Sequence, residues 1–211
     1  MNNTQLAALC VRAKDELTGS DSDVEYLYEQ THEFHIIAIR GTEAGKFFSG
    51  RGWMDILRDL AMWPKDIGAI EGHAGFVHGW LSIMDEIAEL IAAEPDKPII
   101  LTGHSLGGAI ALVGAYSFLK ADFNLAKVVT FGAPRCLVLD NISDVVLVKL
   151  QFLTTQYEHY EDPVPGFMHW TDYDHINSAI IGASRRCHWF WRDFGCHEMD
   201  NYKKWLAAIE G

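Results

Sequence analysis

The pattern of apolar and polar positions predicts helices and strands that alternate along the chain. Apolar residues recur at helical spacing over residues 4–17, 76–93 and 199–209, and residues 109–119 are small and apolar enough for a buried helix. Two strand-like runs, 24–30 and 34–40, flank a short polar turn and predict a hairpin near the N-terminus. Short apolar runs predict three buried strands, at 98–103, 127–132 and 145–155. This order predicts an α/β domain with a mostly parallel central sheet flanked by helices.

Composition and net charge restrict the kinds of partner. The 211 residues are 49% apolar and 22% charged, which excludes a disordered or collagen-like chain and suffices for a single domain over residues 1–211. Seventeen Lys and Arg against 29 Asp and Glu give a net charge of −12. Because nucleic acids and anionic membranes are also negatively charged, neither is an expected electrostatic partner.

The N-terminal segment and the cysteines bear on location. The first residues show no basic stretch followed by an apolar one, and no run approaches about 18 apolar residues, so neither a signal peptide nor a transmembrane helix is predicted. The scattered cysteines are expected to be reduced thiols in a cytoplasmic protein: Cys10, Cys136, Cys187 and Cys196. A Cys187–Cys196 disulfide is the alternative in an oxidising compartment.

The most informative motif surrounds Ser105. Residues 103–107 read GHSLG, which matches G-x-S-x-G between a predicted strand and a predicted helix. Such a turn holds the serine in a strained conformation, and the two glycines leave room where strand and helix approach closely. The helix dipole and the free Leu106 N–H favour negative charge beside the hydroxyl. We interpret Ser105 as a nucleophile; the alternative is a serine that only caps the helix.

Several segments together resemble the class 3 (fungal-type) lipases, a family of α/β-hydrolase fold. The run ILTGHSLGGAIA is similar to the family's nucleophile segment. Five more segments match in order: 39–42 at the oxyanion loop, 53–60 at the start of the lid, 73–76 before the long helix, 130–135 after the nucleophile helix and 162–165 at the acid turn. The resemblance implies an α/β-hydrolase fold and hydrolysis of lipid esters such as acylglycerols. The chain is short for the family, with a brief lid candidate.

A carboxylate is needed beyond the serine. A serine hydroxyl attacks once a neutral imidazole takes its proton, and a carboxylate must orient that imidazole. In α/β-hydrolases the order along the chain is serine, acid, histidine. Asp162 is the preferred acid because Pro163 and Pro165 make its turn rigid, and the resemblance points to the same residue. Glu158 and Glu161 are rivals by position only, and a simple turn aspartate is the alternative role for Asp162.

The histidines that follow the acid turn are the candidates for the base: His169, His175, His188 and His197. His197 is preferred, because the spacing from His197 to Tyr202 resembles the arrangement in which the family places its histidine just before the last helix. His188 is the main rival, since it lies in a second Cys-His pair, and His175 follows an aspartate. His104 is expected to pack beside the nucleophile without acting as the base.

Two donors are expected to form an oxyanion hole. Attack on an ester carbonyl creates an oxyanion, which preorganised donors stabilise. The Leu106 N–H is the first expected donor. Thr42, in the segment that resembles the family's oxyanion loop, is the second; the alternative is an ordinary strand end.

Residues 43–63 are the lid candidate. This segment combines glycines with many large apolar side chains, which predicts a lid over an apolar pocket and transient contact with a lipid surface. Trp53 and Trp63, and Trp189 further along the chain, are candidate substrate-binding residues. The alternatives are a buried helical face through Trp53 and, for Trp189, an aromatic corner of the core.

No metal or cofactor is expected. The pairs Cys187-His188 and Cys196-His197 lack the usual spacing of structural zinc ligands, and adjacent ligands are sterically awkward. No phosphate-cradle or dinucleotide motif is present in the sequence.

The residues and the resemblance together predict a lipase-like serine carboxylester hydrolase that works through an acyl-enzyme. Phospholipase A1 and short-chain esterase activities are the alternatives within this class. A non-catalytic lipid- or partner-binding module on the same fold is the alternative from a different class. No feature of the sequence indicates an oligomeric state.

Overall fold

A six-stranded sheet organises the chain, which a computed structural model describes over residues 1–18, 24–40, 72–166, 171–182 and 194–210. The strands lie side by side in chain order: β1 (Tyr26–Gln30), β2 (His35–Ile39), β3 (Ile99–His104), β4 (Leu125–Phe131), β5 (Thr154–His159) and β6 (Ile180–Gly182). β1 and β2 pair antiparallel, and every later pair is parallel. The predicted α/β class with a mostly parallel sheet and an N-terminal hairpin is confirmed.

Helices cover both faces of this sheet: α1 (Asn3–Arg12), α2 (Ala74–Leu81), α3 (Met84–Ile91), α4 (Leu106–Lys120), α5 (Asp144–Leu153) and α6 (Met199–Glu210). α1 and α6 pack together on one face, while α2 to α5 pack on the other. The ends of the described chain are joined directly, since Thr4 Oγ1 donates a 2.8 Å hydrogen bond to Glu210 Oε2.

The inner strands β2, β3 and β4 are mostly apolar because both of their faces are buried. In β2, Ile36 and Ala38 contact the core beneath α1 and α6, whereas Ile37 and Ile39 contact the core beneath the other helices. Side chains alternate between faces along a strand, so a strand buried on both sides favours apolar residues at consecutive positions. This preference explains why the sequence predicted β2, β3 and β4 well.

The predicted strand at 145–155 is wrong. These residues form most of helix α5, and β5 begins only at Thr154. An apolar run alone does not distinguish a strand from a helix, and Asp144 in the first turn suits a helix start. Val145, Val148 and Phe152 are exposed and Leu150 is buried, which is the one-sided burial of a surface helix.

Two smaller differences concern other elements. The single helix predicted over 76–93 is two helices, α2 and α3, that meet at residues 82–83. β6 was not predicted, because it has only three residues and its two isoleucines are partly exposed at the sheet edge. The lid candidate at 43–63 lies outside the described residues, as does its alternative, the buried helical face through Trp53.

Candidate active site

Ser105 occupies the turn between β3 and α4. Its backbone adopts φ 57° and ψ −127°, a left-handed conformation that is strained for a residue with a side chain. A Cβ atom on Gly103 would lie 2.3 Å from Gly107 O, and one on Gly107 would lie 2.3 Å from Ile39 O. Glycine is therefore required at both positions, because β3, α4 and the end of β2 are in backbone contact at this turn.

The helix that follows supplies an electropositive environment. Leu106 is the first residue of α4, and first-turn N–H groups have no partner within their own helix. Ser105 is 3% exposed, and its Oγ makes no hydrogen bond to any residue in the described ranges. A buried hydroxyl beside the positive end of a 15-residue helix is suited to carry or meet negative charge.

Asp162 and His197 form a buried pair at the same end of the sheet. Asp162 follows β5, and its Oδ1 accepts a 2.9 Å hydrogen bond from the Val164 N–H. His197 Nδ1 donates to Asp162 Oδ2 at 2.7 Å. Because Nδ1 carries this hydrogen in the neutral ring, Nε2 is the basic nitrogen. The pair has the tautomer that proton transfer from a serine requires.

Tyr202 completes the surroundings of the carboxylate and was given no role of its own by sequence reasoning. Its hydroxyl donates to Asp162 Oδ2 at 2.6 Å and accepts a 3.0 Å hydrogen bond from the His159 N–H. Burial, followed by the negative charge of Asp162, raises the pKa of Tyr202 well above its usual value, so the phenol remains a neutral donor. Two of the three hydrogen bonds to the carboxylate therefore come from α6 and the residues just before it.

Gly132, directly after β4, makes room for this pair. It adopts φ +58°, and a Cβ atom here would lie 2.8 Å from Asp162 Oδ2, 2.9 Å from Tyr202 Oη and 3.0 Å from His197 Nδ1. The acid, the imidazole and the phenol thus meet directly above this glycine. The segment 130–135 carried a family resemblance in the sequence, but no local pattern indicated that its glycine lies under the carboxylate.

His104 connects the pair to the serine turn. The ring of this residue, which directly precedes Ser105, lies 4.5 Å from the His197 ring between centroids. Ser105 follows β3, Gly132 follows β4 and Asp162 follows β5, and the carboxyl ends of parallel strands lie at one edge of the sheet. The structure therefore brings Ser105, Asp162 and His197 to one edge.

The described rivals for the acid and the base, Glu158, Glu161 and His175, are not part of the Asp162–His197 pair. Glu161 is exposed. His175 Nε2 donates to Pro165 O at 3.0 Å and lies 3.4 Å from Glu158 Oε1. His175 and Glu158 thus contact each other. The histidine that contacts Asp162 is His197.

Glu158 has an unusual electrostatic environment close to the site. Burial, followed by the negative charge of Asp162, raises the pKa of Glu158 from 4.5 to about 7, and Arg135 opposes this shift only in part. Burial and then Arg135 lower the pKa of His175. Both members of this contact are therefore biased toward their neutral forms.

Several sequence-predicted residues lie outside the described residues: Thr42, Trp53, Trp63, His169, Cys187, His188 and Trp189. Cys10 and Cys136 are free and buried, and burial raises the pKa of Cys10 to about 12. Cys196 is disulfide-bonded, so the expectation of reduced thiols is wrong for this residue, which adjoins His197.

The described ranges contain neither a group of metal ligands nor a membrane-spanning helix. Within them, no three His, Cys, Asp or Glu side chains are grouped so that they would hold a metal ion. None of the helices described is both long and apolar enough to cross a bilayer.

The fold and the site define an α/β-hydrolase: a mostly parallel sheet, a strained serine between a strand and a helix, and an Asp-His pair at the carboxyl edge. The family model for lipase (class 3) matches residues 36–171, and the chain belongs to this family.

Individual relatives are distant. The chain is 26% identical over 144 residues to the secreted mono- and diacylglycerol lipase A of Penicillium cyclopium, covering 65% of this chain and 44% of the relative. It is 31% identical over 143 residues to the secreted mono- and diacylglycerol lipase 1 of Fusarium solani, covering 66% and 39%. The chain thus matches about two fifths of the length of these curated relatives.

The fold is also that of solved lipase-family structures. A mutant form of MDLA from Penicillium cyclopium superposes with a TM-score of 0.61 at 17% identity, covering 88% of this chain and 79% of that one. At this identity the likeness establishes the fold alone.

Proposed function

We propose that the chain is a serine carboxylester hydrolase that acts on acylglycerols or related lipid esters. The observation that carries the proposal is the Asp162–His197 pair, which is buried and in contact with the turn that bears Ser105. Membership of the class 3 lipase family supports the reaction class. The names of the relatives from Penicillium and Fusarium support mono- and diacylglycerols as the first substrates to try.

The first half of the reaction forms an acyl-enzyme. His197 Nε2 takes the Ser105 proton as Oγ bonds to the ester carbonyl carbon, and Asp162 stabilises the imidazolium through Nδ1. The Leu106 N–H stabilises the resulting oxyanion, with Thr42 as the proposed second donor. When the intermediate collapses, the ester C–O bond breaks and His197 gives its proton to the leaving alkoxide.

The second half releases the acid. Water attacks the acyl carbonyl while His197 Nε2 takes one of its protons, and a second oxyanion forms in the same place. Collapse breaks the bond to Ser105 Oγ, which recovers a proton from His197. The enzyme returns to its starting state with one ester and one water converted to an acid and an alcohol.

The lid and the apolar pocket belong to this proposal as well. Residues 43–63 would cover the acyl chain, with Trp53, Trp63 and Trp189 in contact with it, and would open at a lipid surface. This part is supported by the sequence and by the family. We also retain one domain over residues 1–211 as part of the proposal.

A fluorophosphonate probe tests the nucleophile. We expect covalent labelling of the folded wild-type protein, its loss in Ser105→Ala, and a kcat lower by several orders of magnitude in that variant with little change in stability. Ser143→Ala is the matched control, because this serine is exposed and its side chain caps no helix N–H. Labelling that persists without the Ser105 hydroxyl would show another nucleophile, and unlabelled folded wild type would favour the non-catalytic binding module.

The substrate class is tested with p-nitrophenyl esters of increasing acyl length, followed by diacylglycerol and phosphatidylcholine in vesicles. A lipase-like enzyme should prefer medium or long chains and release fatty acid from diacylglycerol. A maximum at acetate would indicate a short-chain esterase, and preference for phosphatidylcholine would indicate phospholipase A1 activity.

Location is a separate question. The sequence predicts a cytoplasmic protein, whereas the Penicillium and Fusarium relatives are named as secreted and Cys196 is disulfide-bonded. Fractionation of cells, with thiol alkylation before lysis, measures both the compartment and the redox state of this cysteine.

A further inference from the structure

His104 joins the serine turn to the segment that carries the proposed base. It is the last residue of β3 and directly precedes Ser105. Its Nε2 atom lies 2.6 Å from the main-chain oxygen of His197, a residue 93 positions later. The two imidazole rings are also packed together, with centroids 4.5 Å apart and planes inclined by 33°. The contact combines a hydrogen bond to the main chain with ring packing.

The acceptor fixes which nitrogen of His104 carries a hydrogen. A carbonyl oxygen only accepts, so Nε2 of His104 is the donor. Burial, followed by the nearby His197, lowers the pKa of His104 well below its usual value, and the hydrogen bond to the His197 main chain opposes this only in part. His104 is therefore a neutral donor and does not compete for the proton that leaves Ser105.

His197 is thus held at two separate points. Asp162 binds its ring at Nδ1, 2.7 Å away, and His104 binds its main chain. The residue lies at the end of a single 3-10 turn, Phe194–His197, before α6 begins. Such short turns have poorer internal hydrogen-bond geometry than an α-helix, so a hydrogen bond from outside the turn contributes to fixing the main chain.

We propose that His104 is a positioning residue: its Nε2–H and its ring fix the main chain of His197 and thereby aim the imidazole at Ser105 Oγ. This inference rests on the proposed function, in which His197 is the base. Misplacement of a reacting group by about 1 Å lowers a rate by about 100-fold. A contact that fixes the position of the base therefore affects kcat more than KM.

Three substitutions separate the hydrogen bond from the ring packing. His104→Phe keeps a ring but removes the donor. His104→Gln places an amide N–H near the position of Nε2, and His104→Asn carries the same amide on a side chain too short to reach the acceptor. His32→Phe is the control, since this histidine is exposed in the turn of the β1–β2 hairpin.

The assay is hydrolysis of p-nitrophenyl butyrate, with folding checked by circular dichroism. We expect kcat to fall about 10- to 100-fold in His104→Phe and His104→Asn, with KM changed less than about 3-fold. His104→Gln should recover to within about 5-fold of wild type, and the control should be unchanged. A fully active His104→Phe, or equal losses in the Gln and Asn variants, overturns the proposal. Should His104→Phe not fold, the comparison of Gln with Asn decides alone.

Failure of the proposed function gives a different result. In that case the wild type itself neither hydrolyses the ester nor reacts with the fluorophosphonate. Proton NMR then tests the positioning directly, through the His197 Nδ1–H that is bonded to Asp162. We expect this signal to broaden by faster exchange in His104→Phe and His104→Asn and to stay sharp in His104→Gln. The same signal in all three variants overturns the proposal.

Discussion

Replacement of Tyr202 by phenylalanine tests whether the phenol holds the proposed acid in place. The change removes one hydroxyl, which donates to Asp162 Oδ2 at 2.6 Å and accepts from the His159 N–H at 3.0 Å. The aromatic ring remains, and it packs against His159 and Phe131. Any effect therefore comes from the two hydrogen bonds and not from a cavity.

The size of the effect follows from these two bonds. A hydrogen bond to a charged group contributes about 1.5–3 kcal/mol, and a buried N–H left without an acceptor costs about 1–3 kcal/mol. Because contributions of neighbouring groups do not add fully, we expect the free energy of unfolding to fall by about 2–4 kcal/mol. For a chain of this size that lowers Tm by about 5–15 °C.

The loss of activity in Tyr202→Phe should be smaller than its loss of stability. Asp162 keeps its bonds from Val164 and from His197, so the pair persists with a less constrained carboxylate. We expect kcat on a soluble ester to fall about 10-fold with KM nearly constant. Thermal unfolding and steady-state kinetics measure the two effects, and Tyr160→Phe is the control because Tyr160 is 80% exposed. Wild-type Tm together with wild-type kcat would refute this account of the phenol.

Three further predictions concern other parts of the site. Gly132→Ala should lower kcat by about 100-fold or more, because the left-handed backbone costs about 1–2 kcal/mol and the new Cβ would displace the acid or the base; a wild-type kcat would contradict this placement. Gly107→Ala should prevent folding or lower Tm strongly, since its Cβ would lie 2.3 Å from a backbone oxygen. Gly166→Ala should be mild, because among the described residues its Cβ would meet no atom nearer than Pro163 O at 3.6 Å. Glu158→Gln tests the raised pKa of Glu158, which is about 7 in the folded state against an ordinary value of 4.5. Because the folded state holds this proton more tightly than the unfolded state, the contribution of Glu158 to stability is fully present below pH 4.5 and is lost as the pH rises to about 7. Between pH 5 and pH 8 the free energy of unfolding of the glutamine variant should therefore rise by about 1–2 kcal/mol relative to that of wild type, after allowance for partial exposure. Denaturant titrations at each pH measure this difference. If the difference in unfolding free energy does not change with pH, Glu158 has an ordinary pKa.

Local patterns were sufficient for the buried strands and for the serine turn. β3 begins with Ile99, Ile100 and Leu101, which face both cores, and its end overlaps the GHSLG motif, so strand, turn and helix are all encoded within about twenty residues. The same apolar criterion failed for α5, where three exposed apolar side chains imitate a strand. Whether an apolar side chain is buried depends on the elements that pack against it. A single run of sequence carries no information about those elements.

The arrangement around the acid was less accessible to sequence reasoning. The contact between His104 and His197 joins residues 93 positions apart, and the one between Asp162 and Tyr202 spans 40 positions. Neither residue type nor spacing indicates such partners before the sheet order is known. Gly132 is a similar case. A side chain is excluded at this position by three atoms that belong to other segments, Asp162 Oδ2, Tyr202 Oη and His197 Nδ1.

The docking of the last helix on the first has a consequence for biosynthesis. α6 brings Tyr202 to the acid, and its end is bonded to α1 through Glu210 and Thr4. A nascent chain that has emerged from the ribosome only as far as β5 contains the serine turn but neither the imidazole nor the phenol. Any hydrolytic activity would therefore begin only after α6 has been synthesised and has docked on α1.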